Sequence, residues 1–128
     1  MMTNQDKKKI LIVDDDENLR VVLRDKLRLL GFEVEESSDG KEGLDKALIL
    51  HPDVILLDVL MPIMDGWEML RKLRIDPWGK SVRVIMLTVV EDLHSVARAM
   101  EDGSFSYLIK TGESMNDIIS KVEDVLKD

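Results

Sequence analysis

A chain of 128 residues has the length of one ordinary domain, and 45% hydrophobic residues can supply its core. The net charge of −8 works against gripping nucleic acid, which needs clustered Lys and Arg, and the absence of cysteine removes disulfide, zinc-thiolate and thiol-nucleophile chemistry together. No stretch approaches the roughly 18 uninterrupted apolar residues of a membrane helix, and residues 1–9 are polar without a signal-peptide apolar region, so a cytoplasmic location is expected.

The first element is the apolar run Ile10-Leu11-Ile12-Val13, which reads as a buried parallel strand and runs straight into Asp14-Asp15-Asp16. Leu19, Val22, Leu23, Leu27 and Leu30 then follow helical spacing, predicting a helix over about residues 17–30 that Gly31 ends. Phe32-Glu33-Val34-Glu35 alternates apolar and charged residues, as a half-exposed edge strand does. A second helix spans Gly40 to Leu50 and stops at His51-Pro52, because a residue before proline is pushed out of helical geometry. The next buried run, Val54-Ile55-Leu56-Leu57, closes at Asp58 and leads into Val59-Leu60-Met61-Pro62 and Ile63-Met64-Asp65-Gly66. A third helix is predicted over residues 65–74, ending before the turn cluster Asp76-Pro77-Trp78-Gly79. Val84-Ile85-Met86-Leu87 ends in Thr88, and Leu93, Val96, Ala97 and Met100 give the face of a fourth helix closed by Gly103. Tyr107-Leu108-Ile109 ends in Lys110, and Met115, Ile118, Ile119, Val122, Val125 and Leu126 give a fifth helix.

Five strand-helix units with no second composition block imply a single domain over residues 1–128, with its core at about 8–127. Its architecture is α/β, a doubly wound five-stranded parallel sheet with helices on both faces. An edge position for the second strand gives the order 2-1-3-4-5, whose switch point lies between strands one and three. Asp14, Asp15 and Asp58 then face one another across that crevice, and Thr88 and Lys110 end strands on the same rim. Three carboxylates, a hydroxyl and an ammonium form a set suited to taking up a phosphoryl group. Each member also has a purely structural reading: Asp58 as a turn-starting residue, Asp15 or Asp16 as a helix cap worth about 1 kcal/mol, Thr88 as a cap and Lys110 as a solvated charge. Their convergence favours the chemical reading, with Asp16 left as the cap. Phosphoryl transfer proceeds mainly by positioning and charge neutralisation, so such a site needs cations. Clustered carboxylates repel unless a cation sits among them, and a hard, oxygen-preferring ion such as Mg²⁺, or Mn²⁺, suits them.

These residues resemble the receiver domain of bacterial response regulators, the chemotaxis-regulator-like module of two-component signalling. The resemblance rests on the acidic pair Asp14-Asp15 after strand one, the Asp-x-x-Met-Pro-x-x-Asp-Gly motif from Asp58, Thr88 after strand four and the Tyr-x-x-Lys of Tyr107 and Lys110. It implies the flavodoxin-like fold and a signalling switch rather than an enzyme, whose only chemistry is its own phosphotransfer and slow autodephosphorylation. Asp58 is then the phosphoacceptor, receiving its group from a sensor histidine kinase or a histidine phosphotransfer protein. Asp14, Asp15, Asp58 and the Leu60 backbone carbonyl would bind Mg²⁺, Lys110 would pair with phosphoryl oxygens and Thr88 would hydrogen-bond to one. Tyr107 would turn inward and re-form the face of helix four, strand five and helix five, toward a homodimer, a downstream target or an output domain, as a population shift between two packings. Its plain reading is a half-buried edge-strand aromatic.

The chain departs from the family pattern at four places. Thr111 follows Lys110 where proline is usual, Val89 follows Thr88 where Ala or Gly is usual, Arg83 stands where proline often precedes strand four, and Ser106 replaces an acid before the aromatic. Leu60 and Val90 are apolar where polar side chains in other members orient the hydrolytic water, so a long-lived phosphoryl-Asp58 is expected. His51 and His94 lack a third ligand at metal spacing and read as surface or packing residues, and Trp78 reads either as an exposed contact or as a lid over the third helix. Three rival classes compete with this reading. An aspartate-nucleophile phosphatase would need a second Asp where Leu60 stands, a small-ligand flavodoxin-type module would need a phosphate-cradling loop in place of Asp14-Asp15-Asp16, and an unphosphorylated receiver-like interaction module would keep the fold without the chemistry.

Overall fold

A computed structural model of the chain describes residues 7–88, 106–109 and 114–127, the side chains of residues 88 and 106–109 excepted. Five parallel strands form one sheet in the order β2-β1-β3-β4-β5. They are β1 (Lys9–Val13), β2 (Glu33–Ser37), β3 (Val54–Asp58), β4 (Arg83–Thr88) and β5 (Ser106–Ile109). The helices are α1 (Glu17–Leu29), α2 (Gly40–Leu50), α3 (Gly66–Ile75) and α4 (Met115–Leu126). Here α4 is the fifth helix expected from the sequence; the expected fourth, around Leu93 to Met100, lies outside the described residues.

The apolar runs are continuous because both faces of the sheet are covered. Leu11, Val13, Ile55, Leu57, Val84 and Met86 point to the side packed by α2 and α3, with Ala47, Met69 and Leu73. Ile10, Ile12, Val54, Leu56, Ile85 and Leu87 point to the other, packed by α1 and α4, with Leu23, Leu27, Ile118 and Val122. Alternation of this kind is the period-two geometry of a strand buried on both sides, and it fixes the register that brings the strand ends into line.

Local signals set the element ends. Asp16, Asp39 and Asp65 cap α1, α2 and α3, each accepting from a backbone N–H three residues on. Ser114 and Asp117 form a reciprocal capping box at α4. Gly31 takes the left-handed conformation that terminates α1, its φ of 97° being open to glycine at little cost. Ahead of Pro52, His51 ends α2 at φ 50° and stacks on Trp78 with ring centroids 4.3 Å apart. Trp78 is half-buried against the α2/α3 core, so it is a packing residue tied to the end of α2.

Candidate phosphoryl-transfer site

The acids meet where the chain order turns back, beyond the carboxyl ends of β1 and β3. Each of Asp14, Asp15 and Asp58 offers a carboxylate oxygen, and these oxygens lie within 4.8 Å of one another. Asp14 is fully buried, Asp58 is 6% exposed and Asp15 faces solvent. Two buried carboxylates and a third at their side repel one another across a poorly solvated gap. The donor set is therefore all hard oxygen at chelating spacing, and it fits a small divalent cation. Among the described residues this is the cluster of acids with metal-holding spacing.

Described residues hold Asp14 at its N–H, its carboxylate and its carbonyl. Its N–H donates to the Ser37 carbonyl at the end of β2, 3.1 Å away. Its Oδ1 accepts from the Asp16 N–H at 2.9 Å, and its carbonyl accepts from Arg20 Nη1 at 2.6 Å. Arg20 also donates from Nε to Glu36 at 3.2 Å, and Glu36 is held in turn by Arg24 at 2.9 Å. The Arg24 guanidinium is raised above its ordinary pKa, first by the hydrogen bond to Glu36 and then by that to Asp25.

Asp58 is the last residue of β3, set opposite Leu87 of β4. The loop after it folds back through backbone bonds, from the Gly66 N–H to the Val59 carbonyl at 2.8 Å and from the Met64 N–H to the Pro62 carbonyl at 2.7 Å. The Gly40 N–H reaches the Met64 carbonyl at 3.0 Å and ties the loop to the start of α2. Leu60 is 63% exposed and Ile63 77% exposed on this loop.

The structure thus brings together Asp14, Asp15 and Asp58 as the sequence leads one to expect, with Asp16 in the capping role. The backbone of Thr88 ends β4 opposite Ile109, and Tyr107 lies opposite Met86, while their side chains and the whole of Lys110 and Thr111 lie outside what is described. Arg20 and Glu36 belong to no motif in the sequence. Arg20 lies one helical turn beyond the Asp16 cap, which is the only local hint of its position.

Comparison with known proteins gives the class. The response regulator receiver domain family matches residues 10–123, and the chain belongs to that family, whose members are phosphorylation-dependent signalling switches. It is 36% identical over 126 residues to chemotaxis protein CheV3 of Helicobacter pylori, covering 90% of this chain and 40% of that one. It is 29% identical over 119 residues to the DNA-binding transcriptional regulator RpaA of Synechocystis, covering 93% of this chain and 49% of that one. Chemotaxis response regulator CheY4 of Vibrio cholerae superposes with a TM-score of 0.84 at 30% identity, over 94% of this chain and 99% of that one. The chain spans about half the length of the curated relatives it matches, or less. Among the described residues no helix is long and apolar enough to cross a membrane.

Proposed function

We propose that Asp58 is the residue phosphorylated in this switch, that Mg²⁺ or Mn²⁺ is its cofactor, and that the donor is the phosphohistidine of a sensor kinase or phosphotransfer protein. The observation that carries this reading is the meeting of three carboxylates, two of them buried, at the strand ends. In the transfer the phosphorus–nitrogen bond of the donor breaks, a bond from phosphorus to an Asp58 oxygen forms, and the imidazole leaves as the neutral ring after taking a proton. Asp14 and Asp15 with the Leu60 carbonyl would hold the ion, which when bound neutralises phosphoryl oxygens and the clustered acids. Lys110 and Thr88 bind phosphoryl oxygens, and Tyr107 reports the change to the face of β5 and α4. The chain acts in the cytoplasm as one domain, without gripping DNA or membrane itself, and hydrolyses its own acyl phosphate slowly.

The test is intact-mass spectrometry in the cold at mildly acidic pH after incubation with acetyl phosphate. One phosphate adduct is expected with Mg²⁺ and none with a chelator, in Asp58→Asn or in Asp15→Asn. An adduct persisting in Asp58→Asn removes the assignment. No adduct in the parent under saturating Mg²⁺ favours an inert interaction module.

A further inference from the structure

We propose that Arg20 is a positioning residue for the cation site, setting where the Asp14 carboxylate sits by holding the carbonyl of the same residue. This rests on the reading of the acid cluster as a cation site. Asp14 is fully buried, so its orientation is set by the bonds it makes. Two of its anchors come from main chain, the Ser37 carbonyl and the Asp16 N–H. Another is a side chain, and at 2.6 Å the Arg20 contact is shorter than either of these.

The guanidinium suits this because it is a rigid fork with several donors. Nη1 takes the Asp14 carbonyl while Nε takes Glu36 on the edge strand, so one planar group ties the turn after β1 to β2. Arg20 is only 14% exposed and Glu36 21%, which limits solvent competition for both bonds. Arg24 fixes the other Glu36 oxygen and bonds Asp25 as well. Arg20 and Arg24 carry two positive charges, Glu36 and Asp25 two negative ones, so the cluster is balanced. A lysine would have to reach both acceptors from a single nitrogen on a flexible stem, without the rigid fork that presents Nη1 and Nε to them together.

Charge and position make opposite predictions. Removing Arg20 deletes a cation near a cation site, and by Coulomb's law alone binding should tighten or stay unchanged. Loss of the anchor should weaken it. Mn²⁺ binding, read from the free-ion electron paramagnetic resonance signal, separates the two without any phosphotransfer assay. Arg20→Met is expected to weaken Mn²⁺ binding about tenfold. Arg24→Met removes the same charge and one bond to the same Glu36 but leaves the Asp14 carbonyl held, so it should bind as the parent does or slightly tighter. Arg20→Lys should recover less than half of the loss. Urea midpoints of both Met variants monitor general destabilisation; should Arg20→Met fail to fold, Arg20→Lys against Arg24→Met decides the matter alone. Equal Mn²⁺ affinity in Arg20→Met and Arg24→Met, or Arg20→Lys equal to the parent, overturns the positioning role. A parent that binds no Mn²⁺ overturns the cation site itself, and the two failures are thereby told apart.

Discussion

Asp14 and Asp58 belong to one cluster, yet the turn after β1 and the loop after β3 are anchored by different kinds of contact. The first is short and takes a side-chain anchor from Arg20, itself braced by Glu36 and Arg24. The second spans residues 59–65 and closes on backbone bonds at both ends, with Gly40 and Gly66 pressed against it. A side-chain anchor can be exchanged in steps, from Arg to Lys to Met. A backbone anchor leaves almost nothing to exchange but the glycines. Adjustment of the site therefore belongs to the first turn, and brittleness to the second.

The largest effect expected from this contrast is at Gly66. A Cβ there would lie well inside van der Waals contact of the Asp58 carbonyl oxygen, and backbone cannot step aside as a side chain can. At Gly43 a Cβ would meet side-chain atoms instead, the methyls of Val13 and the sulfur of the flexible Met69. Gly66→Ala is expected to cost about 3 kcal/mol or more, and Gly43→Ala about 1–2 kcal/mol. Urea unfolding midpoints with matched slopes check this. Equal costs at the two positions would show that the loop after β3 is as adjustable as the rest of the site.

Next in size is the lifetime of the acyl phosphate, which probes what the exposed part of the same loop does. Leu60 is largely exposed two residues beyond Asp58 and offers an incoming water no hydrogen bond; Val90 is equally apolar two residues after Thr88 in sequence. If orienting that water is worth about 1.4–2.8 kcal/mol, its absence slows hydrolysis roughly ten- to hundredfold. Phosphoryl-Asp58 should outlast seconds in the parent and decay faster in Leu60→Asn with Val90→Glu, followed by intact mass at fixed Mg²⁺. Decay within seconds in the parent, or no acceleration in the double variant, would remove these positions from the control of lifetime.

How far the sequence could be read depends on the range of the signal. The bounds of α2 are legible because both ends are local, an Asp39 cap on one side and His51-Pro52 on the other. Asp58 is legible because it is the charged residue that breaks the apolar run of a fully buried strand. The edge strand reads from Phe32 to Glu35 on alternation, whereas β2 runs on to Ser37, its extra residues being polar ones whose burial comes from neighbours. Glu36 is half-covered by two arginines of α1, and Arg20 lies 16 residues from it in sequence. That pairing exists only once β2 lies beside β1, so no spacing rule finds it. The stacking of His51 on Trp78 is equally a product of tertiary packing.

The smallest effect tests the strain stored in the loop after β3, where the backbone anchor exacts a local cost. Ile63 has a φ of 70°, and the bond from the Met64 N–H to the Pro62 carbonyl makes it the centre of a γ-turn in the left-handed region. A β-branched residue is rarely found there, and the conformation costs an L-residue about 1–2 kcal/mol. Packing does not offset that cost, since Ile63 is 77% exposed. What the turn achieves lies one residue on: Met64 enters the core and its carbonyl faces the Gly40 N–H. Glycine adopts such a φ freely but loses about 0.5–1 kcal/mol through the added freedom of the unfolded chain. Ile63→Gly should therefore stabilise the fold by a net of about 0.5–1 kcal/mol, read as a higher urea midpoint at unchanged slope. The turn after β1 carries no such outlier, and a glycine at Asp15 should give no comparable gain. A loss of stability in Ile63→Gly would mean that the isoleucine side chain, rather than the backbone bonds, holds the loop in place.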